Sequence, residues 1–378
     1  MRTVVSFEKA EAKALQQIAK IAARASTLPS VVTLESQGDK AIAKVYCGDL
    51  IVAVKGTVID GNGLSIMCPP KIFAREPFSD IAVSTKEGGP TDKIIIQTQR
   101  KRIETDTSYC DVPDDPTFSE TFWEVNAPAE VLLKALKTVS DFTDGNSHSS
   151  IKYVYMEPLG RDLLRLVATD GRRLVEARIA VTLVTQKARK NVLVSAGSIY
   201  DLCKAGKSLD RISLVAGVIE GRDKYGVFAK WPNGCVYMDG SYTTAIFPDW
   251  KKVAYGPHGG NMVKFQREKL RPFLPKRVSY KESTVLKLNI DPTTQVMTCV
   301  LQDMDEHSEW GIKVATNTEI SIWFNPGYIR SILDLFAKGD VTARFSKEKP
   351  RESSVLLTGV PQPWAQYIRA VVMPLQGE

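Results

Sequence analysis

The sequence predicts an α+β fold made of three repeats of one module, each with two helices and antiparallel sheets, and three observations lead there. Asp80, Asp210 and Asp340 are separated by two equal intervals of 130 residues, and a fixed period is the signature of a repeated architecture. The segments ending at these aspartates agree as well: "SIYDLCKAGKSLD" and "GYIRSILDLFAKGD" share a helical pattern, a basic residue, a glycine and the aspartate. Finally, the apolar period switches repeatedly along the chain between the 3.6 of helices and the 2 of half-buried strands.

The second helix of each module is expected over Pro69–Pro77, Ser195–Leu209 and Asn325–Gly339. In the last of these, Ile329, Ile332, Leu333 and Phe336 recur at helical spacing and form one apolar face, with Arg330, Asp334 and Lys338 off it. In "TVLKLNI", Leu286, Leu288 and Ile290 alternate with Lys287 and Asn289, the pattern of a strand with one buried face. Turn-rich "DVPDDP" and "YGPHGGN" mark the joints. The expected domains are 1–124, 125–259 and 260–378, a division suited to a 378-residue chain.

The first helix of each module carries the basic charge. Leu15, Ile18, Ala19 and Ala22 make a core face in the first, and Lys13, Gln17, Lys20 and Arg24 form a stripe without acids beside it. In the second, Leu132, Ala135, Leu136 and Val139 oppose Lys134 and Lys137. Arg267, Lys269, Arg271, Lys276 and Arg277 crowd the matching part of the third, where Pro272 and Pro275 are expected to break or kink the helix. Lysines on one helix are ordinarily a solvated face. Their recurrence instead suggests a surface for phosphates, which supplies affinity without reading sequence. Lys204 and Lys207 are placed with this set, although "VSAGSIY" lacks a basic pair at the start of that helix. By domain, Lys and Arg minus Asp and Glu gives −2, +6 and +3, so the net +7 sits in the second and third modules.

Composition excludes several classes. No apolar run approaches the roughly 18 residues of a membrane-spanning helix, and Met1–Phe7 has no signal-peptide core, so a cytoplasmic protein without membrane contact is expected. The six cysteines form no C-x-x-C pair and are expected as reduced thiols. "AGKS" at 205–208 mimics the end of a phosphate-binding loop, but Asp201 stands where its first glycine belongs and the segment lies at a helix C-terminus, where the dipole disfavours phosphate. Asp303, Asp305, Glu306, His307 and Glu309 could hold a metal for nuclease chemistry, which leaves a basic metal-dependent DNA-processing enzyme as the alternative function. A hydrated hairpin loop between "QVMTCVLQ" and "WGIKVAT" is the commoner reading. With His148, His258 and His307 as its histidines, and no H-E-x-x-H or G-x-S-x-G pattern, the chain is expected to have no catalytic residues, metal or cofactor.

"LVATDGRRLVEA" at 166–177, "IFPDWKKV" at 246–253 and the terminal "YIRAVVMPLQGE" stand in the order seen in bacterial sliding clamps, the beta subunit of the replicative DNA polymerase III holoenzyme. Each stretch alone reads as a turn or a closing strand, but together with the threefold repeat they make the whole chain resemble that family. The resemblance implies a non-enzymatic processivity factor: three clamp domains forming half of a ring, closed head to tail as a homodimer around duplex DNA. It implies as partners the replicative polymerase, an ATP-dependent clamp loader and other clamp-motif proteins, whose peptides enter an apolar pocket between the second and third domains. The matching pocket positions are Ile151, Thr169, Gly171, Arg172, Arg173, Leu174, Pro248, Lys252, Val253, Ser354, Val371, Met373, Pro374 and Leu375. Arg172 stands for a common His, Trp250 for a common Tyr, and Gln376, Gly377 and Glu378 replace the family's usual tail. A non-ring peptide-binding adaptor is the third reading.

Overall fold

The computed structural model describes residues 2–24, 30–47, 50–60, 65–74, 80–86, 93–97, 102–106, 117–147, 149–206, 209–232, 234–256, 258–275, 284–303, 307–349 and 351–375. Among these, antiparallel strands dominate and seven α-helices punctuate them: α1 (Lys9–Arg24), α2 (Lys71–Ala74), α3 (Ala129–Ser140), α4 (Ala196–Ala205), α5 (Trp250–Ala254), α6 (Arg267–Leu270) and α7 (Pro326–Leu333). The α+β expectation therefore holds. The chain divides into two compact units, one of residues 1–137, 157–162 and 181–245, the other of 138–156, 163–180 and 246–378.

In the first unit the strand Leu50–Asp60 lies between Arg2–Ser6 and Lys40–Cys47, and its residues Ile51–Val54 also pair with Gly234–Tyr237 of the strand Gly234–Tyr242. That joint makes one sheet of segments nearly two hundred residues apart. Helix α1 packs beside it against α2 and α4. Leu15, Ala19 and Ala22 are buried as their periodicity predicts; the side chains of Ile18 and Arg24 lie outside the description. On α3 the predicted face Leu132, Ala135, Leu136 and Val139 is wholly buried, each leucine worth about 1.5–3 kcal/mol relative to exposure. Trp123 is fully buried because its indole N–H donates to the Lys190 carbonyl at 2.9 Å, so no polar atom is left unpaired.

In the second unit one sheet runs through Leu163–Thr169, Arg173–Ala180, Tyr367–Val372, Val355–Pro361, Phe336–Phe345 and Asn261–Gln266, neighbours pairing antiparallel throughout. A second sheet orders His307–Thr316, Val296–Gln302, Val285–Asp291 and Ile320–Phe324. Leu286, Leu288 and Ile290 face its core as expected.

Several local expectations are corrected. Helix α7 ends at Leu333, so Phe336 is buried from the start of a strand instead of completing the helical face. Arg330 is not on a solvated face: it is buried and its guanidinium donates to the Leu274 carbonyl. Helix α4 is shorter than Ser195–Leu209, whereas the break expected at Pro272 is present: α6 ends at Leu270 and a 3-10 turn follows at Arg271–Phe273, because Pro272 has no N–H to continue an α-helix. In the acidic hairpin His307 and Glu309 belong to a strand, not to the loop; Asp305, Glu306 and "DVPDDP" lie outside the described residues.

Asn325 caps α7, its side-chain oxygen accepting from the Gly327 and Tyr328 N–H groups at 2.9 and 3.2 Å. Asn325→Ala is expected to cost about 1 kcal/mol, checked by urea unfolding of the full chain. Burial pushes the thiols of Cys68 and Cys299 up to about 12. Both therefore stay protonated, and iodoacetamide at about pH 8 should leave them unmodified in the folded chain while alkylating them after denaturation, as read by peptide mass spectrometry.

Candidate functional site

The turn at residues 169–173 is built by its own side chains. Thr169 Oγ1 donates to the Arg173 carbonyl at 2.8 Å and accepts from the Gly171 N–H at 3.1 Å. Asp170 accepts from the backbone N–H groups of Arg172 and Arg173, and its other oxygen takes the Arg173 Nε at 2.8 Å. Gly171 sits at φ +84°, a left-handed conformation that a side chain resists. Arg173 is 8 % exposed and holds the turn against its surroundings: Nη1 donates to Ser331 Oγ at 2.6 Å, Nη2 to the Asp141 carbonyl at 2.9 Å, and the guanidinium stacks on Phe142 and Tyr328.

The turn opens onto a cavity of 190 Å³. Of the predicted pocket positions, Ile151, Thr169, Gly171, Arg172, Arg173, Leu174, Pro248, Val253, Val371 and Met373 come together in its lining, joined by Trp250. Leu174 and Val371 are direct cross-strand partners, so their side chains share one face of the sheet. Val253 and Met373 stand at the mouth, 39 % and 38 % exposed. Leu375 lies instead in an adjoining, more polar cavity that also touches Arg172, with Asp144, Asp170 and Tyr328 in its wall. Lys252 is outside both cavities, exposed and paired with Asp249 at 3.0 Å, whose carboxyl it holds below the usual range. Neither cavity includes Ser354 or Pro374.

Beyond the cavity the same strands carry a charged network that sequence reasoning missed. Glu176 is fully buried; Oε1 accepts from Arg165 Nε at 3.1 Å and Arg178 Nε at 2.9 Å, and Oε2 from the Tyr255 hydroxyl at 2.8 Å. Arg369, directly across from Glu176, stacks at 4.0 Å over the Tyr255 ring and donates to the Ala254 carbonyl at 3.0 Å. Burial works against the Arg178 charge, yet the hydrogen bond and charge of Glu176 raise its pKa above the ordinary value. Burial, then Glu176, raises that of the Tyr255 phenol. Alternation in "RRLVEAR" puts Leu174, Glu176 and Arg178 on one face, the available sequence signal.

The predicted phosphate-facing residues fall in different settings. Lys13 and Lys134 are exposed, as is Lys137; Gln17 and Lys20 are half-buried. Lys204 pairs with Asp201 at 3.4 Å and lies over the Tyr200 ring. Arg267 donates to the Leu333 carbonyl at 2.7 Å and meets Asp334, which Arg271 also contacts, so both arginines are tied to the end of α7. Lys207 lies outside the described residues. Among the described residues no group of three or more His, Cys, Asp or Glu is placed to hold a metal, and no helix is long and apolar enough to cross a membrane. In the acidic segment, Asp303 accepts from Thr284 Oγ1 and exposed His307 lies 3.8 Å from Glu309.

No protein-family model matches the sequence, and no curated protein does. Solved structures do match over the full length, and they define the fold as that of DNA sliding clamps. The DNA polymerase III beta subunit of Pseudomonas aeruginosa is similar with a TM-score of 0.80 at 21 % identity, covering 100 % of both chains. The beta subunit of Thermotoga maritima and the sliding clamp of Caulobacter crescentus each give 0.79 at 18 % identity, again over 100 % of both chains.

Proposed function

We propose that this chain is a subunit of a DNA sliding clamp, a cytoplasmic, non-enzymatic processivity factor whose two copies close head to tail around duplex DNA. Three modules over 1–124, 125–259 and 260–378 account for the strand order, and one observation carries the reading: the fourth strand of one module pairs with the last strand of the next. Leu50–Asp60 meets Gly234–Tyr242 in this way, and Arg173–Ala180 meets Tyr367–Val372. With Phe118–Pro128, which crosses the 124/125 boundary, counted as the first strand of the second module, two strands of the same kinds are left over. Among the described residues Arg102–Asp106, last of the first module, pairs along one edge only, with Lys93–Gln97. His307–Thr316, fourth of the third, pairs over His307–Lys313 only with Val296–Gln302 among the described residues. Unpaired edges invite another chain, and a repeated head-to-tail contact forms a ring when its rotation closes.

The leftover edge in the third module is furnished for such a contact. Phe273, 54 % exposed, stacks at 4.9 Å on Trp310, whose buried indole N–H has no partner among the described residues. A cavity of 730 Å³ lies alongside. Closure would make retention on DNA mechanical, so that weak, sequence-independent phosphate contacts from Lys13, Lys20 and Lys134 suffice and sliding is not opposed. Opening such a ring requires a separate ATP-driven loader. The apolar cavity at Leu174, Val253 and Val371 would take anchor side chains of short peptides from the replicative polymerase and other partners.

Native mass spectrometry tests the closure: two copies are expected, and Trp310→Arg should shift the population to single chains. After loading, retention on circular but not linear duplex completes the test; equal retention on both would favour a DNA-independent adaptor.

A further inference from the structure

The geometry points to a second recognition element beside the apolar cavity: a cationic shelf of Arg178, Arg369 and Tyr255 that takes an acidic side chain of the same bound peptide. This rests on the cavity being a peptide site, and deepens that reading by naming the peptide's chemistry. Cavity and shelf share one sheet face. Leu174 and Val371 line the cavity, while Arg178 lies four residues further along the strand, about 13 Å at the usual rise of ~3.3 Å per residue. Trp250 connects them, lining the cavity and packing 6.0 Å from the Tyr255 ring.

The charges at the shelf do not balance. Glu176 engages Arg178 and Arg165, whereas Arg369 meets a carbonyl and the Tyr255 ring, and its buried Nε has no partner among the described residues. Lys251, near Trp250, adds positive charge. Glu176 is fully buried, so what reaches the surface is the 47 % exposed Tyr255, the half-buried Arg369 and the partly exposed Arg178, whose side chain is 26 % accessible. Guanidinium groups held by aromatic stacking are oriented before binding, and they favour a carboxylate over a neutral amide. An extended peptide anchored in the cavity and running along the strands would bring its side chain three to four residues from the anchor over Arg178.

The test uses the full-length protein and fluorescent decapeptides carrying a Leu-Phe anchor, with Asp, Asn or Lys at the third or fourth position on either side of it, read by anisotropy. For one placement the Asp peptide is expected to bind about three- to tenfold more tightly than the Asn peptide, with Lys weakest. That advantage should shrink between about 50 and about 500 mM salt, and should disappear in Arg178→Gln and in Arg369→Gln. If all peptides bind but Asp brings no advantage at any placement, or the advantage survives both substitutions, the shelf is overturned and the peptide site stands. If no peptide binds, the peptide-site reading itself fails. The Asp, Asn and Lys comparison on the unsubstituted protein remains decisive even where an arginine variant does not fold.

Discussion

Replacing Glu176 by alanine is expected to destabilise the second compact unit by about 3–5 kcal/mol, the usual cost of leaving buried charge without its counter-ion. Glu176 is inaccessible to water and receives two guanidinium groups and a phenol. Its loss would leave Arg165 and Arg178 facing each other as direct cross-strand neighbours, with Arg369 opposite the vacated position. Glu176→Gln keeps the volume and an accepting oxygen but removes the charge, so a smaller loss is expected. Hydrogen exchange in Arg173–Ala180 and Tyr367–Val372, with urea unfolding of the full chain, measures both. A loss under about 1 kcal/mol for the alanine variant would mean that water or rearranged carboxylates replace Glu176.

Introducing aspartate at both Val253 and Met373 should weaken binding of the Leu-Phe peptide by roughly a hundredfold or more while leaving the thermal melt unchanged. Each side chain is more than a third exposed in the free chain, so the fold loses little when it becomes polar. A bound anchor would cover both, and each lost apolar contact forfeits about 1–2 kcal/mol before the cost of desolvating a carboxylate is added. Peptide affinity by anisotropy and the melt by circular dichroism separate the two effects. Unaltered affinity would place the peptide elsewhere.

The site was legible unevenly. The turn at Thr169–Arg173 is read from a short stretch because its hydrogen bonds are local, closing within four residues. Trp250 stood in view as a departure from the residue usual in the clamps that the sequence resembles, yet its place in the cavity wall follows from lying one helical turn before Val253, on the same side of α5. The Glu176 network could not be assembled in advance. Its members Tyr255 and Arg369 lie 79 and 193 residues further along the chain, and no periodicity reports which distant side chain a buried charge will meet.

What the sequence alone determined was the repeat, the buried faces of α1 and α3, and the alternation of Leu286, Leu288 and Ile290, because these depend on how an apolar pattern matches the period of its own backbone. Only tertiary structure decided the fate of the charges. Arg330 is drawn inside by the Leu274 carbonyl, Arg267 and Arg271 are anchored at Asp334, and Arg173 braces a turn. A guanidinium is long and offers five donors. Whether it faces solvent or closes a distant contact is settled by acceptors that folding brings within reach.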